Sequence, residues 1–325
     1  MRAVVLHEFG PAENLRYETV PDPVPGSGEV LVSVRAAGVH QIETAMREGL
    51  TIGPPLPELP AIFGGEVAGV VAAVGPDRRD DSWIGADVVT AHGRPGGYAE
   101  LAVADVSAVH RIPDGLGHEA AVTMIVTGTT AIGLLDIAAL TSDDVVLVTS
   151  AAGGIGRLVV QFAHRLGATV VGAAGGPAKV AAVRGLGADV AVDYDLPRWA
   201  GTVREALGGH GVTVVLDGVE GEKGRAAFGL LTAGGRYITI GAASRTEFRP
   251  DAAQLEERDV RFTDALSLLL AGQDTPADET RALAHAAAGE LVPAFQTFPL
   301  SRTAAAHAAL ESRQTTGKVV LVPDA

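Results

Sequence analysis

The segment Ser150–Gly156, SAAGGIG, follows directly on the apolar run Val145–Thr149, VVLVT, and leads into the amphipathic stretch Ile155–Leu166. A dinucleotide pyrophosphate is held by backbone N–H groups at a helix N-terminus, with no Cβ where it comes closest. Gly153 and Gly156 stand three apart in this turn, and Gly154 adds clearance. Tight turns are rich in glycine for ordinary steric reasons as well. What favours a cofactor is the placement between a strand buried on both faces and a helix.

The end of the following strand selects the nicotinamide cofactor. NAD-binding folds commonly carry an Asp or Glu there for the ribose 2′-hydroxyl. Here the strand runs out through Gly172-Ala173-Ala174-Gly175-Gly176, with no carboxylate in the run, and Lys179 and Tyr194 follow. An ammonium and a phenol suit a 2′-phosphate, so the reading is NADPH. Lys179 as a solvated helix residue is the alternative.

Cysteine is absent, which removes disulfides and thiolate metal sites together. Imidazole and carboxylate groups at His40, Glu43, Glu66 and His92 remain, and their spacing matches no metal site. No metal is expected.

These residues need elements to hold them. With 325 residues the chain is long for one core, so two domains are expected. Up to about residue 120 it reads as short strands (Ala3–Leu6, Glu29–Ala37, Ala68–Val74, Asp87–Ala91 and Tyr98–Ala104) between Pro- and Gly-rich turns such as Pro21–Gly28 and Pro54–Pro60. A helical turn is expected at Gln41–Arg47. After Gly117 helices and strands alternate: helix His118–Leu140, strand Val145–Thr149, helix Ile155–Leu166 stopped by Gly167, strand Thr169–Ala173, helix Ala178–Gly185, strand Asp189–Val192, helix Trp199–Leu207, strand Val212–Leu216, helix Lys223–Leu231, and strands Tyr237–Ile240 and Val260–Thr263. This describes a doubly wound parallel α/β sheet. Helices at Asp278–Ala288 and Thr303–Glu311 precede a last strand, Val319–Val322, assigned to the first domain.

The net charge of −14 argues against a general nucleic-acid surface, and no apolar run is long enough for a membrane span. A cytoplasmic protein acting on a small molecule is expected.

Several segments resemble the zinc-independent quinone oxidoreductase (zeta-crystallin-like) branch of the medium-chain dehydrogenases/reductases. They are MRAVVLHEFG, EVLVSVRAAGVH, Gly64–Val71 (GGEVAGVV), Gly85–Val89 (GADVV), PGGYAEL, Thr127–Ala131 (TGTTA), SAAGGIG, Leu216–Val219 (LDGV), GGRYITIG and ESRQTTGKVVL. They span nearly the whole chain in the family's order. The resemblance implies a GroES-like β-rich domain of residues 1–120, completed by 265–325, and a Rossmann NADP-binding domain of residues 121–264, with the nicotinamide in the cleft between them. It places Thr130 near the nicotinamide, Gly153, Gly154 and Ile155 along the pyrophosphate, Gly175 at the second strand's end, Lys179, Tyr194 and Arg313 around the 2′-phosphate, and Gly241 and Ala242 beside the nicotinamide riboside. Arg313 and Lys318 have an alternative as surface charges.

Zinc members of the superfamily use a Cys before the first helix and a GHE segment. This chain has Val39-His40-Gln41 and Gly64-Gly65-Glu66 there. Without a metal to polarise an alcohol, the reaction implied is hydride transfer from NADPH to a quinone or an α,β-unsaturated carbonyl. Thr130 and His40 are candidate positioning groups, and His40 can equally serve a substrate oxygen or the cofactor ribose. Ala45 and Thr51 stand where the family's quinone slot carries aromatic residues. A non-enzymatic NADPH-binding protein and an enoyl-thioester reductase are the competing readings. A homodimer is implied by the resemblance, since the strand Val260–Thr263 would otherwise be a bare sheet edge.

Overall fold

The computed structural model describes residues 1–51, 55–76, 81–91, 96–241, 243–244, 246–272 and 275–324. Two compact units are present. The first comprises Met1–Gly128, Glu279–Gly289 and Pro293–Ala325, and the second Thr129–Asp278 and Glu290–Val292.

The first unit opens with β1 (Arg2–Leu6), β2 (Leu15–Thr19), β3 (Glu29–Val39), helix α1 (Gln41–Glu48), β4 (Ala61–Ile62), β5 (Val67–Val74), β6 (Asp87–Thr90), β7 (Leu101–Asp105), β8 (Val109–Arg111) and helix α2 (His118–Thr123). In β3 the residues Val30, Val32 and Val34 are buried, the alternation of a strand with one face on a core. Gly49 adopts φ 86 and ends α1.

The second unit holds α3 (Thr129–Ala138), β9 (Val145–Val148), α4 (Gly154–Leu166), β10 (Thr169–Ala174), α5 (Pro177–Arg184), β11 (Val190–Asp193), α6 (Trp199–Ala206), β12 (Val212–Asp217), α7 (Gly221–Phe228), β13 (Leu231–Thr239), α8 (Ala252–Arg258), β14 (Arg261–Asp264) and α9 (Ala265–Gly272). Its six strands are all parallel, in the order β11-β10-β9-β12-β13-β14. Successive residues of β9 enter opposite cores. Val146 and Val148 pack with Val159, Val170 and Leu216, while Leu147 packs with Val171, Val215 and Trp199. Covering both faces is what makes this strand wholly apolar.

The chain closes with α10 (Thr275–Ala287), β15 (Phe295–Pro299), α11 (Thr303–Glu311) and β16 (Lys318–Val322). β16 pairs antiparallel with β3 and parallel with β15, inside a sheet ordered β15-β16-β3-β5-β6-β8 to which β7 adds through β3. The architecture is the doubly wound α/β unit plus β-rich unit read from the sequence.

Three details differ. Residues 121–128 fall in the first unit rather than opening the second, and residues 265–278 and 290–292 fall in the second, where α9 packs on α3, rather than completing the first. Leu231 begins β13 instead of ending a helix, because Gly229 caps α7 two residues earlier. The run Phe295–Pro299 is a strand whose side chains are largely exposed, so it lacks the apolar signature of a buried one.

Candidate functional site

At the tip of β9 the chain turns through Ser150, which takes φ 52, a left-handed conformation uncommon outside glycine. Its carbonyl accepts the Gly153 N–H at 2.9 Å. A Cβ on Gly156 would lie 2.4 Å from that same carbonyl oxygen, so only glycine lets α4 start this close to the turn. Gly153 is the residue before the helix, and no side chain caps the N-terminus. The first-turn amides of this 13-residue helix are therefore left without a side-chain cap, which suits them to a pyrophosphate.

Neighbouring strand tips are tied to this turn by Asp217, fully buried at the end of β12. Its carboxylate accepts the hydroxyls of Thr149 and Tyr237, each at 2.5 Å, and the Val219 N–H at 3.0 Å. Thr149 Oγ1 in turn accepts the Gly218 N–H at 2.9 Å. Burial, then the Asp217 charge, raises the Tyr237 phenol far above its usual range, so it stays a donor. Gly241 sits over Gly218, close to the Ser150 turn. The segment LDGV is legible as a strand end, but nothing in it announces this anchor.

Around the tip of β10 the structure gathers more than the sequence reading placed there. Tyr194 and Asp195 both approach Gly175: a Cβ on that glycine would lie 3.2 Å from the Tyr194 ring and 2.5 Å from Asp195 Oδ2. The strand's own residues carry no carboxylate, as read, yet Asp195 brings one to its end from the turn after β11. Lys179 is on α5, partly buried. Lys223, on α7, lies with its Nζ 3.9 Å from the centre of the Tyr194 ring and pairs with Asp195. Asp195 and Lys223 were absent from the candidates, because spacing along a chain does not reveal which strand ends converge. Thr130, in the first turn of α3, Gly154 and Ile155 belong to this unit as well. Ala242 and His92 lie outside the described residues.

His40 and Arg313 belong to the first unit. Arg313 is exposed in the turn after α11, with φ 57. His40 precedes α1, its N–H donating to Glu43 Oε2 at 2.7 Å. The same carboxylate oxygen accepts the Tyr98 hydroxyl at 2.7 Å, and Tyr98 lies 3.4 Å from His307 Nε2. The His40 ring faces Glu66, with Nε2 3.0 Å from Oε1, and Lys318 Nζ lies 2.6 Å from Oε1 and 2.9 Å from His40 Nε2. Both approaches to Glu66 are ion-pair contacts without hydrogen-bond alignment, and Oε2 has no protein partner. Burial alone would raise the Glu66 carboxyl. The facing His40 and Lys318 overcome it and bring the group down to about 2. Gly38 makes room, since a Cβ there would fall 1.7 Å from Glu66 Oε1. Lys318, whose alternative was a surface charge, is buried.

These residues do not fit zinc. An ammonium stands against both His40 and Glu66, where a cation would have to bind. Among the described residues no group of three or more His, Cys, Asp or Glu converges.

Residues 26–114 match the alcohol dehydrogenase GroES-like domain, and residues 186–321 match the zinc-binding dehydrogenase family. The chain is 31% identical to a 2-haloacrylate reductase of Burkholderia sp over 99% of both chains. It is also 31% identical to a quinone oxidoreductase of Pseudomonas aeruginosa over 97% of both. A mycobacterial protein solved in complex with NADPH superposes with a TM-score of 0.86 at 33% identity, covering 99% of this chain and 100% of that one. The Escherichia coli quinone oxidoreductase complexed with NADPH gives 0.86 at 26% identity, with the same coverage.

Proposed function

The chain belongs to the medium-chain dehydrogenase/reductase superfamily, and we propose that it is an NADPH-dependent, zinc-independent reductase acting on a small activated carbonyl compound, a quinone or an α,β-unsaturated carbonyl. The observation that carries this reading is the uncapped N-terminus of α4, pressed against the Ser150 carbonyl by a side-chain-free Gly156. Bound NADPH supplies the hydride. The chain's own residues bind and orient. The α4 amides at Gly154 and Ile155 take the pyrophosphate, Gly153 lies along it without a side chain, and Lys179 and Tyr194 take the 2′-phosphate. Thr130 and Gly241 flank the nicotinamide end.

His40 is the partly exposed member of the Glu66–Lys318–His40 cluster. In this reading its imidazole donates to the substrate oxygen as negative charge grows there. An activated C=C or quinone needs no Lewis acid for hydride addition, in keeping with a cluster in which Lys318 stands in a metal's place. The relatives named for haloacrylate and for quinone reduction fall within this substrate class.

We place the enzyme in the cytoplasm as a homodimer. β14 is an outer strand of its sheet, and pairing with a second copy would cover its edge. Among the described residues one helical run, His118–Ala138, is long and apolar enough to cross a membrane, and it is mostly buried within the protein.

The test follows NADPH absorbance with a panel of quinones and enones, alongside calorimetric titration of NADPH. Turnover of at least one acceptor, and weaker NADPH binding in Lys179→Glu, are expected. Tight NADPH binding without any oxidation would favour the non-enzymatic alternative.

A further inference from the structure

A nucleotide-binding α/β unit ordinarily takes its ribose-reading carboxylate from the end of the second strand. Here that position is Gly175, immediately after β10, and the volume its missing side chain would fill is occupied by the Asp195 carboxylate, with Oδ2 2.5 Å from the point where a Cβ would stand. Asp195 reaches this place through a turn set by Asp193, whose Oδ1 accepts the N–H groups of Asp195 and Gly176, both at 3.0 Å. The acidic group is therefore present in space though missing from the strand's sequence.

Asp195 does not stand there unopposed. Lys223 Nζ pairs with its Oδ1 and rests on the Tyr194 ring. The side chains of Asp195 and Lys223 are 56% and 23% exposed, so both border solvent and both can reach a ligand. Asp193 is engaged by backbone N–H groups. The charges placed at this strand end are thus mixed, the carboxylates of Asp193 and Asp195 with the ammonium of Lys223, instead of uniformly positive.

Resting on the dinucleotide reading above, we propose that Asp195 and Lys223 together set cofactor choice and open the site to NADH as well as NADPH. A ribose 2′-hydroxyl donates to Asp195 while Lys223 stays paired with the carboxylate. A 2′-phosphate competes with that carboxylate for the Lys223 ammonium, which Tyr194 keeps at hand in either case. Asp195 favours the hydroxyl and opposes the phosphate, and Lys223 does the reverse.

The experiment is calorimetric titration of the full-length chain with NADPH and with NADH at one low ionic strength, for wild type, Asp195→Asn and Lys223→Met. One charge-assisted contact changes an affinity by about tenfold or more. Asp195→Asn is expected to move the NADPH-to-NADH affinity ratio upward by about that factor, and Lys223→Met to move it downward. Opposite shifts of roughly threefold or more uphold the proposal, and smaller or same-direction shifts overturn it. Circular dichroism of each variant checks that the fold is retained. Binding with an unmoved ratio sinks this proposal alone, whereas failure of both nucleotides to bind wild type sinks the dinucleotide reading together with it.

Discussion

Replacing Lys318 by Met strips the ammonium that sits 2.6 Å from Glu66 Oε1 and leaves a wholly buried carboxylate facing His40 alone. The energy at stake is set by the Glu66 carboxyl, held at about 2 instead of 4.5 despite its burial. That displacement corresponds to about 3 kcal/mol of folding stability at neutral pH. The sign follows from its direction. A lowered folded-state value stabilises the protein above pH 4.5, and this contribution drains away as pH falls from 4.5 towards 2.

Breaking one side of a buried pair costs about 3–5 kcal/mol, whereas replacing both partners costs far less. Urea unfolding at pH 7 should therefore show Lys318→Met destabilised by about 3 kcal/mol. The double variant Glu66→Gln/Lys318→Met should recover more than half of that loss. In Lys318→Met the fall in stability below pH 4.5 should flatten. A loss under about 1 kcal/mol, or a double variant less stable than the single, would refute the view of Glu66 as a charge held by its neighbours.

His307, buried with Nδ1 unpartnered, is lowered by burial and then by the Arg47 charge from 6.5 to about 3. Stability contributed by its neutral form is complete above pH 6.5 and lost as pH falls towards 3, so wild type should be about 2 kcal/mol less stable at pH 5 than at pH 7 on this account. His307→Gln should remove most of that dependence in urea unfolding at the two pH values. Gly156→Ala would put a methyl 2.4 Å from the Ser150 carbonyl oxygen, so α4 must shift, at about 1–3 kcal/mol. Calorimetry should show NADPH binding weakened by about tenfold or more, while a Gly201→Ala control, in open space, leaves it unchanged.

The parallel sheet was legible because its central strands are apolar on both faces and several of its helices, α4, α5 and α7, end in glycine. Val145–Thr149 and Gly167 are the clearest cases. β15 escaped because Phe295, Gln296 and Thr297 are exposed, so its pairing with β16 leaves no pattern in the residues. Within the site, the glycine turn declares itself because its steric demand is local. Lys318, Asp195 and Lys223 act through neighbours 252, 20 and 28 residues away in the chain, at Glu66, Gly175 and Asp195. Such pairings depend on which strand ends meet, and no local spacing encodes that. The Asp195 carboxylate beside the empty strand end at Gly175 escaped the sequence for the same reason.

The place of β16 bears on how the protein is made. A strand near the end of the chain lies between β15 and β3 and brings the cation that neutralises Glu66. During synthesis, the residues of β3 and β5 leave the ribosome long before Lys318 exists, and until then Glu66 has no ammonium to meet. The parallel-sheet unit, whose strands all lie between residues 145 and 264, is complete well before that point. Translation should thus yield a nascent chain with a folded middle and an open beginning, exposed to chaperones until its final strand arrives.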